Sequence, residues 1–278
     1  MKRFALTALL FFSAALFSGC SYLSSSEEIV QQQPAEPEVI QETNAEVAPQ
    51  TDPSQQTSID EEKLEPKELE PQIFSAGDFE SPERCVNCHR DIYNDWSKSM
   101  HAFAWEDRWY QADYMLGHSE TEGATDLLCG ACHAPIAART DQLPPADGSQ
   151  FDATSRRGIS CDFCHTVSRV AQMHNMGHVS EPGGTKIGPR NDGRSLYHKI
   201  KNTMLHTKAE FCGSCHMVIN PANGTHIIDT WQDYQTTEYA QQSITCQNCH
   251  MTPTPGIRKA PGRASLMGKT RDNIAFHG

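Results

Sequence analysis

Apolar residues are scarce in this chain. Only 37% of its 278 residues are hydrophobic and 8% aromatic, which is meagre for an ordinary packed core and leaves long regular sheets unexpected. Long hydrophobic runs are short in supply too. The apolar run from Phe4 to Phe17 is too brief to persist as a membrane-spanning helix. Residues 21–72 have no glycine and, in Tyr22, a single aromatic. Such a stretch cannot bury enough surface to offset chain entropy. Positive charge is outnumbered, with a net charge of −12, and this argues against nucleic acid as a partner.

The acidity has an address. Residues 21–80 hold fifteen acidic side chains against Lys63 and Lys67, whereas residues 81–278 carry a net charge of only −1. Residues 1–19 read as a lipoprotein signal peptide. Lys2 and Arg3 precede the apolar run, which ends Leu16-Phe17-Ser18-Gly19-Cys20 and resembles a lipobox, although Phe17 departs from the usual small aliphatic residue. Cys20 is then the lipidated residue, and Ser21 after it favours the outer membrane. Residues 20–72 follow as an acidic, Pro/Gln-rich disordered tether with a reach of about 40 Å. The remainder, 73–278, is the folded domain.

What the chain has in plenty is cysteine, in one pattern. Ten of its eleven cysteines form five copies of Cys-x-x-Cys-His: Cys85, Cys88 and His89; Cys129, Cys132 and His133; Cys161, Cys164 and His165; Cys212, Cys215 and His216; Cys246, Cys249 and His250. Two thiols three positions apart with an imidazole directly behind the second are what covalent attachment of haem c requires. The thiols become thioethers, and the histidine coordinates iron from the same side. A zinc or disulfide scaffold gives no reason for a histidine after every second cysteine. Five haem c groups are expected, each wrapped by about 40 residues, so that porphyrin supplies much of the apolar interior. Attachment outside the cytoplasm agrees with the export signal.

The fold class expected is mainly α with extensive irregular loops, built around five covalently bound haems. Residues 81–116 have no glycine, and no proline after Pro82, and read as helix. On such a helix His89 and His101 would stand about 18 Å apart along the axis, so His101 could serve only a neighbouring haem. Residues 179–195 read as loop; 195–211 and 228–242 read as helices entering the fourth and fifth motifs. The second and third motifs together resemble the fourth and fifth, with cysteine offsets of 32 and 34 residues, which suggests two di-haem units with the first motif added in front.

The segments CVNCHRDIYNDWSKSMHAFA, GISCDFCHTV, EFCGSCHMVINPANG, SITCQNCHMTPTPG and RDNIAFH resemble the multihaem cytochrome c-554 family, to which hydroxylamine oxidoreductase and pentahaem nitrite reductase are more distantly related in haem arrangement. The resemblance implies a mostly helical fold with stacked haem pairs serving electron transfer. It also implies that His101 and His277 are distal ligands. Five motifs stand here in place of the family's four, and none has lysine in place of its histidine, as the nitrite reductase catalytic haem usually does.

Eight histidines lie outside the motifs. After His101 and His277, the distal candidates are His198, His206, His178 and His174; His118 is read as a helix cap and His226 as a turn residue. Met173 and Met176 are read as porphyrin packing, and the C-terminal basic residues Arg258, Lys259, Arg263 and Lys269 as partners of haem propionates. The function expected is electron transfer through closely spaced haems by a membrane-anchored protein, with no catalytic residue, serving redox partner proteins of a respiratory or extracellular chain. Two other classes compete with it: an oxidoreductase with one open haem, for which the second motif is the candidate, acting on a small nitrogen or sulfur species, and an oligomer or haem filament.

Overall fold

The computed structural model describes residues 72–252 and 261–278. The signal peptide, Cys20, the tether up to its last residue, and Arg258 and Lys259 lie outside the described residues.

Helices make up about 35% of the structure, all short except one. In chain order they are α1 (Pro82–Cys85), α2 (Arg90–Trp96), α3 (Arg108–Thr121), α4 (Asp126–His133), α5 (Pro135–Arg139), α6 (Cys161–Cys164), α7 (Glu210–Gly213), α8 (Thr230–Gln235), α9 (Glu238–Gln241) and α10 (Cys246–His250). Four two-stranded sheets accompany them. They pair β1 (Val167–Val170) with β2 (His178–Ser180), β3 (Thr185–Gly188) with β4 (Lys199–Asn202), β5 (Val218–Ile219) with β6 (His226–Ile228), and β7 (Gly262–Arg263) with β8 (Thr270–Arg271). The β3–β4 pair is parallel and the other three antiparallel. Among the described residues no helix is long and apolar enough to cross a membrane.

Helix starts follow local chemistry. Pro82 occupies the first turn of α1 and Ser81 caps it, accepting from the Glu83 N–H. Asp107 caps α3 by accepting from the Tyr110 N–H at 2.9 Å. That helix closes at Glu122, whose φ of 52° is left-handed.

The single helix expected over 81–116 is broken into α1, α2 and the start of α3. After Trp96 the hydroxyl of Ser99 donates to the Trp96 carbonyl at 2.7 Å, and the His101 carbonyl accepts from the Ile159 N–H at 2.9 Å. Backbone bonds that would extend the helix are thus taken by a side chain and by the segment leading into the third motif. Gly158 permits this contact. Its φ is +57°, and a β-carbon there would stand 2.6 Å from the His101 carbonyl oxygen.

Two further expectations are corrected. The stretch 195–211 is β4 followed by a 3-10 turn (Leu205–Thr207) and α7, because Lys199 and Thr203 donate to the Gly184 and Gly188 carbonyls at 2.8 and 2.9 Å and draw the chain alongside β3. That pairing also places β3 inside the presumed loop 179–195. The stretch 228–242 splits at Thr236, and Thr237 caps a new helix by accepting from the Ala240 N–H.

Two hydrophobic clusters form the interior. One gathers Trp105, Tyr114, Ala134, Ala137, Leu143 and Phe151 around α4 and α5. The other gathers Phe79, Ile136, Phe163, Val167 and Met176 with Cys132, Cys164 and Cys215. Three motifs therefore share one core.

Candidate haem sites

Every motif lies on a short helix or just past its end, so its two cysteines are one turn apart and the histidine emerges where the helix stops. None of the ten motif cysteines is in a disulfide, so each thiol is free for a thioether. Nor does any group of three or more His, Cys, Asp or Glu side chains gather around a common point there, as a zinc site would demand.

The motifs meet crosswise. The thiol of Cys85 interacts with that of Cys161, Cys132 with Cys215, and Cys212 with Cys246. The first motif is thus neighbour to the third, the second to the fourth, and the fourth to the fifth. α1 packs on α6, and Gln247 of α10 donates to the His206 and Lys208 carbonyls at 3.1 and 2.7 Å, just ahead of α7. Of the two di-haem units suggested by the duplication, the fourth and fifth motifs do meet, whereas the second motif meets the fourth, across the halves. The duplication thus foretells the contact within the second half but not the one between the halves.

Three motif histidines are oriented through Nδ1. His89 donates to the Ala264 carbonyl at 2.5 Å, His133 to Ala104 at 2.9 Å and His165 to Ile187 at 2.8 Å. A carbonyl only accepts, so each Nδ1 carries the proton and each Nε2 lone pair is left for a metal. Burial holds His133 and His165 below the ordinary imidazole pKa, against the pull of those carbonyl bonds. The neutral ring is the form that ligates. His216 and His250 find no polar ring partner among the described residues and are exposed.

Two imidazoles sharing one ion through bonds of about 2 Å have ring centres roughly 6 Å apart. His89 and His198 stand at 6.3 Å, and His101 and His216 at 6.5 Å. His198 also donates through Nδ1, to the Lys199 carbonyl at 3.0 Å. His165 and His206 are closer, at 5.3 Å and nearly parallel, and His206 directs Nε2 at the Cys164 carbonyl, 2.8 Å away. His178 is buried with Nε2 donating to the Phe211 carbonyl at 2.7 Å, so the nitrogen it would offer to iron is engaged. His174 has a buried Nδ1 with no partner, and His277 donates to the Ala275 carbonyl at 2.9 Å. His174 does not stand among these facing ring pairs.

Opposite His133 there is no second histidine ring among the described residues; Tyr110 stacks on its face at 3.7 Å and 6°. Burial drives the Tyr110 hydroxyl far above its usual range. Tyr110 and the three carbonyl anchors were not legible in the sequence, because any residue supplies a carbonyl and Tyr110 looks like ordinary packing.

Elsewhere the histidines and bases are structural. His118 is 2.9 Å from the buried Asp126 carboxylate and His226 pairs with Asp229. Lys269 engages Asp192 at 2.6 Å and Arg263 donates to the Thr270 hydroxyl at 3.4 Å, so these two already have protein partners. Met176 packs its sulfur 3.3 Å from His178 Nδ1 and 3.7 Å from the Cys215 sulfur.

The residues fit haem c: paired thiols, an imidazole behind each pair, anchored through Nδ1 in three of the five, and facing rings at one-metal spacing. A cavity of about 310 Å³ opens beside Cys88 and His89, roofed by Ala264 and Leu266. Bound there, haem supplies an iron that changes oxidation state; the chain's own part is to hold the porphyrins by sulfur and orient the imidazoles.

Residues 84–166 match the family described as cytochrome c554 and c-prime. Among solved structures, a penta-heme cytochrome c552 from Thermochromatium tepidum shares the fold, with a TM-score of 0.50 and 22% identity over 72% of this chain. The match spans 56% of that protein. No curated protein matches the sequence. Fold and site together are those of a multihaem c-type cytochrome, with residues suited to binding haem c with iron.

Proposed function

We propose that the protein is a membrane-anchored pentahaem cytochrome passing electrons along closely spaced haems. The observation that carries this is the crosswise meeting of the motif thiols, Cys85 with Cys161, Cys132 with Cys215 and Cys212 with Cys246. Thioether-bonded haems inherit that proximity. The thiols of Cys212 and Cys215 also sense Cys164, so the path runs first, third, fourth, with the second and fifth haems branching from the fourth. Facing histidines support six-coordinate iron at the first and fourth haems, which changes redox state with little movement and suits transfer.

Lipid attached at Cys20 would hold the domain at the outer membrane through its tether, among redox partners of a respiratory or extracellular chain. The mass of the exported protein tests both parts. It should exceed the polypeptide beginning at Cys20 by five haems and a lipid group; a haem increment below five sinks the reading.

A second reading is favoured by His133. Its ring is anchored by Ala104 and flanked by Tyr110, with no facing histidine among the described residues. The second haem would then keep an open position for a small nitrogen or sulfur species. A ferric high-spin signal that shifts with nitric oxide or cyanide supports this, and a fully low-spin spectrum refutes it.

A further inference from the structure

Arg139 closes α5 and is 7% exposed. One terminal nitrogen donates to the His178 carbonyl at 2.7 Å, and the guanidinium carbon lies 5.1 Å from the centre of the Phe163 ring. Its Nε is buried with no partner. The ionisable groups acting on it are the thiols of Cys215 and Cys132, and thioether formation makes both neutral.

Two other cations close to the motifs are compensated. Lys186, beside the third motif, is held by the buried Asp162, and Arg157 pairs with Glu83 at 3.1 Å. No ion pair holds Arg139 among the described residues. An arginine stays charged even when buried. The result is a fixed positive charge in low dielectric where the second and fourth motifs meet.

We propose that Arg139 raises the reduction potential of the fourth haem, bound through Cys212 and Cys215, and to a lesser extent that of the second, bound through Cys129 and Cys132. Reduction adds one electron to the iron and lowers the charge of the haem by one unit. A nearby cation therefore favours the ferrous state, and the interior does little to screen it. At the second haem the buried Asp126 acts on Cys129 with opposite sign, which weakens the effect. Arg139 touches no reacting atom; it tunes the potential through space and biases electrons toward the fourth haem, the junction of the proposed path. The inference rests on the five-haem reading, and its test separates the two.

The exported, matured protein is compared with Arg139→Gln, Arg139→Met and Arg139→Lys. Haems per chain are counted first; fewer than five in the parent protein count against the five-haem reading alone. Optical redox titration then follows each component. With either neutral variant one component should become about tenfold harder to reduce, which is 59 mV for a one-electron couple, and a second should shift less in the same direction. Arg139→Lys keeps the charge and should stay near the parent curve. The inference is overturned if both neutral variants titrate like the parent, or if Arg139→Lys shifts as far as they do, since packing would then be the cause. The Met variant keeps the volume filled, so one neutral form remains to be read if the Gln form matures poorly.

Discussion

His101 and His216 face each other at 6.5 Å although 115 positions separate them in the chain. Replacing His101 by Ala removes one of two proposed axial nitrogens while leaving the Cys212 and Cys215 attachments intact. One haem in five should become high-spin in the ferric electron paramagnetic resonance spectrum, with the haem count unchanged. Loss of the haem itself, or no spectral change, would show that His101 does not ligate. His178 makes the opposite case. Its Nε2 is spent on the Phe211 carbonyl, and burial, assisted by the charge of Arg139, presses its pKa down to about 4. Between about pH 6.5 and 4 the unfolded chain protonates this ring and the folded protein does not, so stability falls as pH falls through that window and levels off below it. The loss is on the order of 3 kcal/mol at most. His178→Gln keeps a donor for the carbonyl and removes the titration. Its denaturation midpoint should depend less on pH in this window than that of the parent, with all haems retained.

At the scale of elements, the junction between α2 and the third motif decides where His101 goes. Gly158 lets the chain pass within touching distance of the His101 and Ala102 carbonyls. Gly158→Ala should cost roughly 2 kcal/mol from strain at positive φ, and more where the β-carbon collides. The melting temperature should drop, and the low-spin signal assigned to His101 should weaken with it. A variant as stable as the parent would mean the crossing is loose. The same junction explains what was and was not readable in the sequence. The five motifs were legible because their chemistry is local: two thiols, one turn and an imidazole. The breaks after Trp96, at 199–202 and at Thr236 were not, because each depends on a partner far along the chain or on a hydroxyl competing with a backbone bond. The partners of the histidines escaped for the same reason: His198 faces His89 across 109 positions of sequence.

For the molecule as a whole, the crosswise contacts matter more than the duplication that produced the motifs. If the fourth haem is a junction, the fifth is a branch end and can be removed without cutting the rest of the path. The double variant Cys246→Ala, Cys249→Ala deletes only the thioethers of α10, whose Gln247 still ties the helix to the His206 and Lys208 carbonyls. It should mature with four haems, and those four should still be reduced together in a single fast phase in stopped-flow spectroscopy. Were some of the remaining haems to be reduced slowly, the fifth would lie in the middle of the path, and the contact between Cys212 and Cys246 would mark a link of the main chain, not a side branch. The order of the haems in space, set by tertiary packing and not by their order in sequence, is what such an experiment reads.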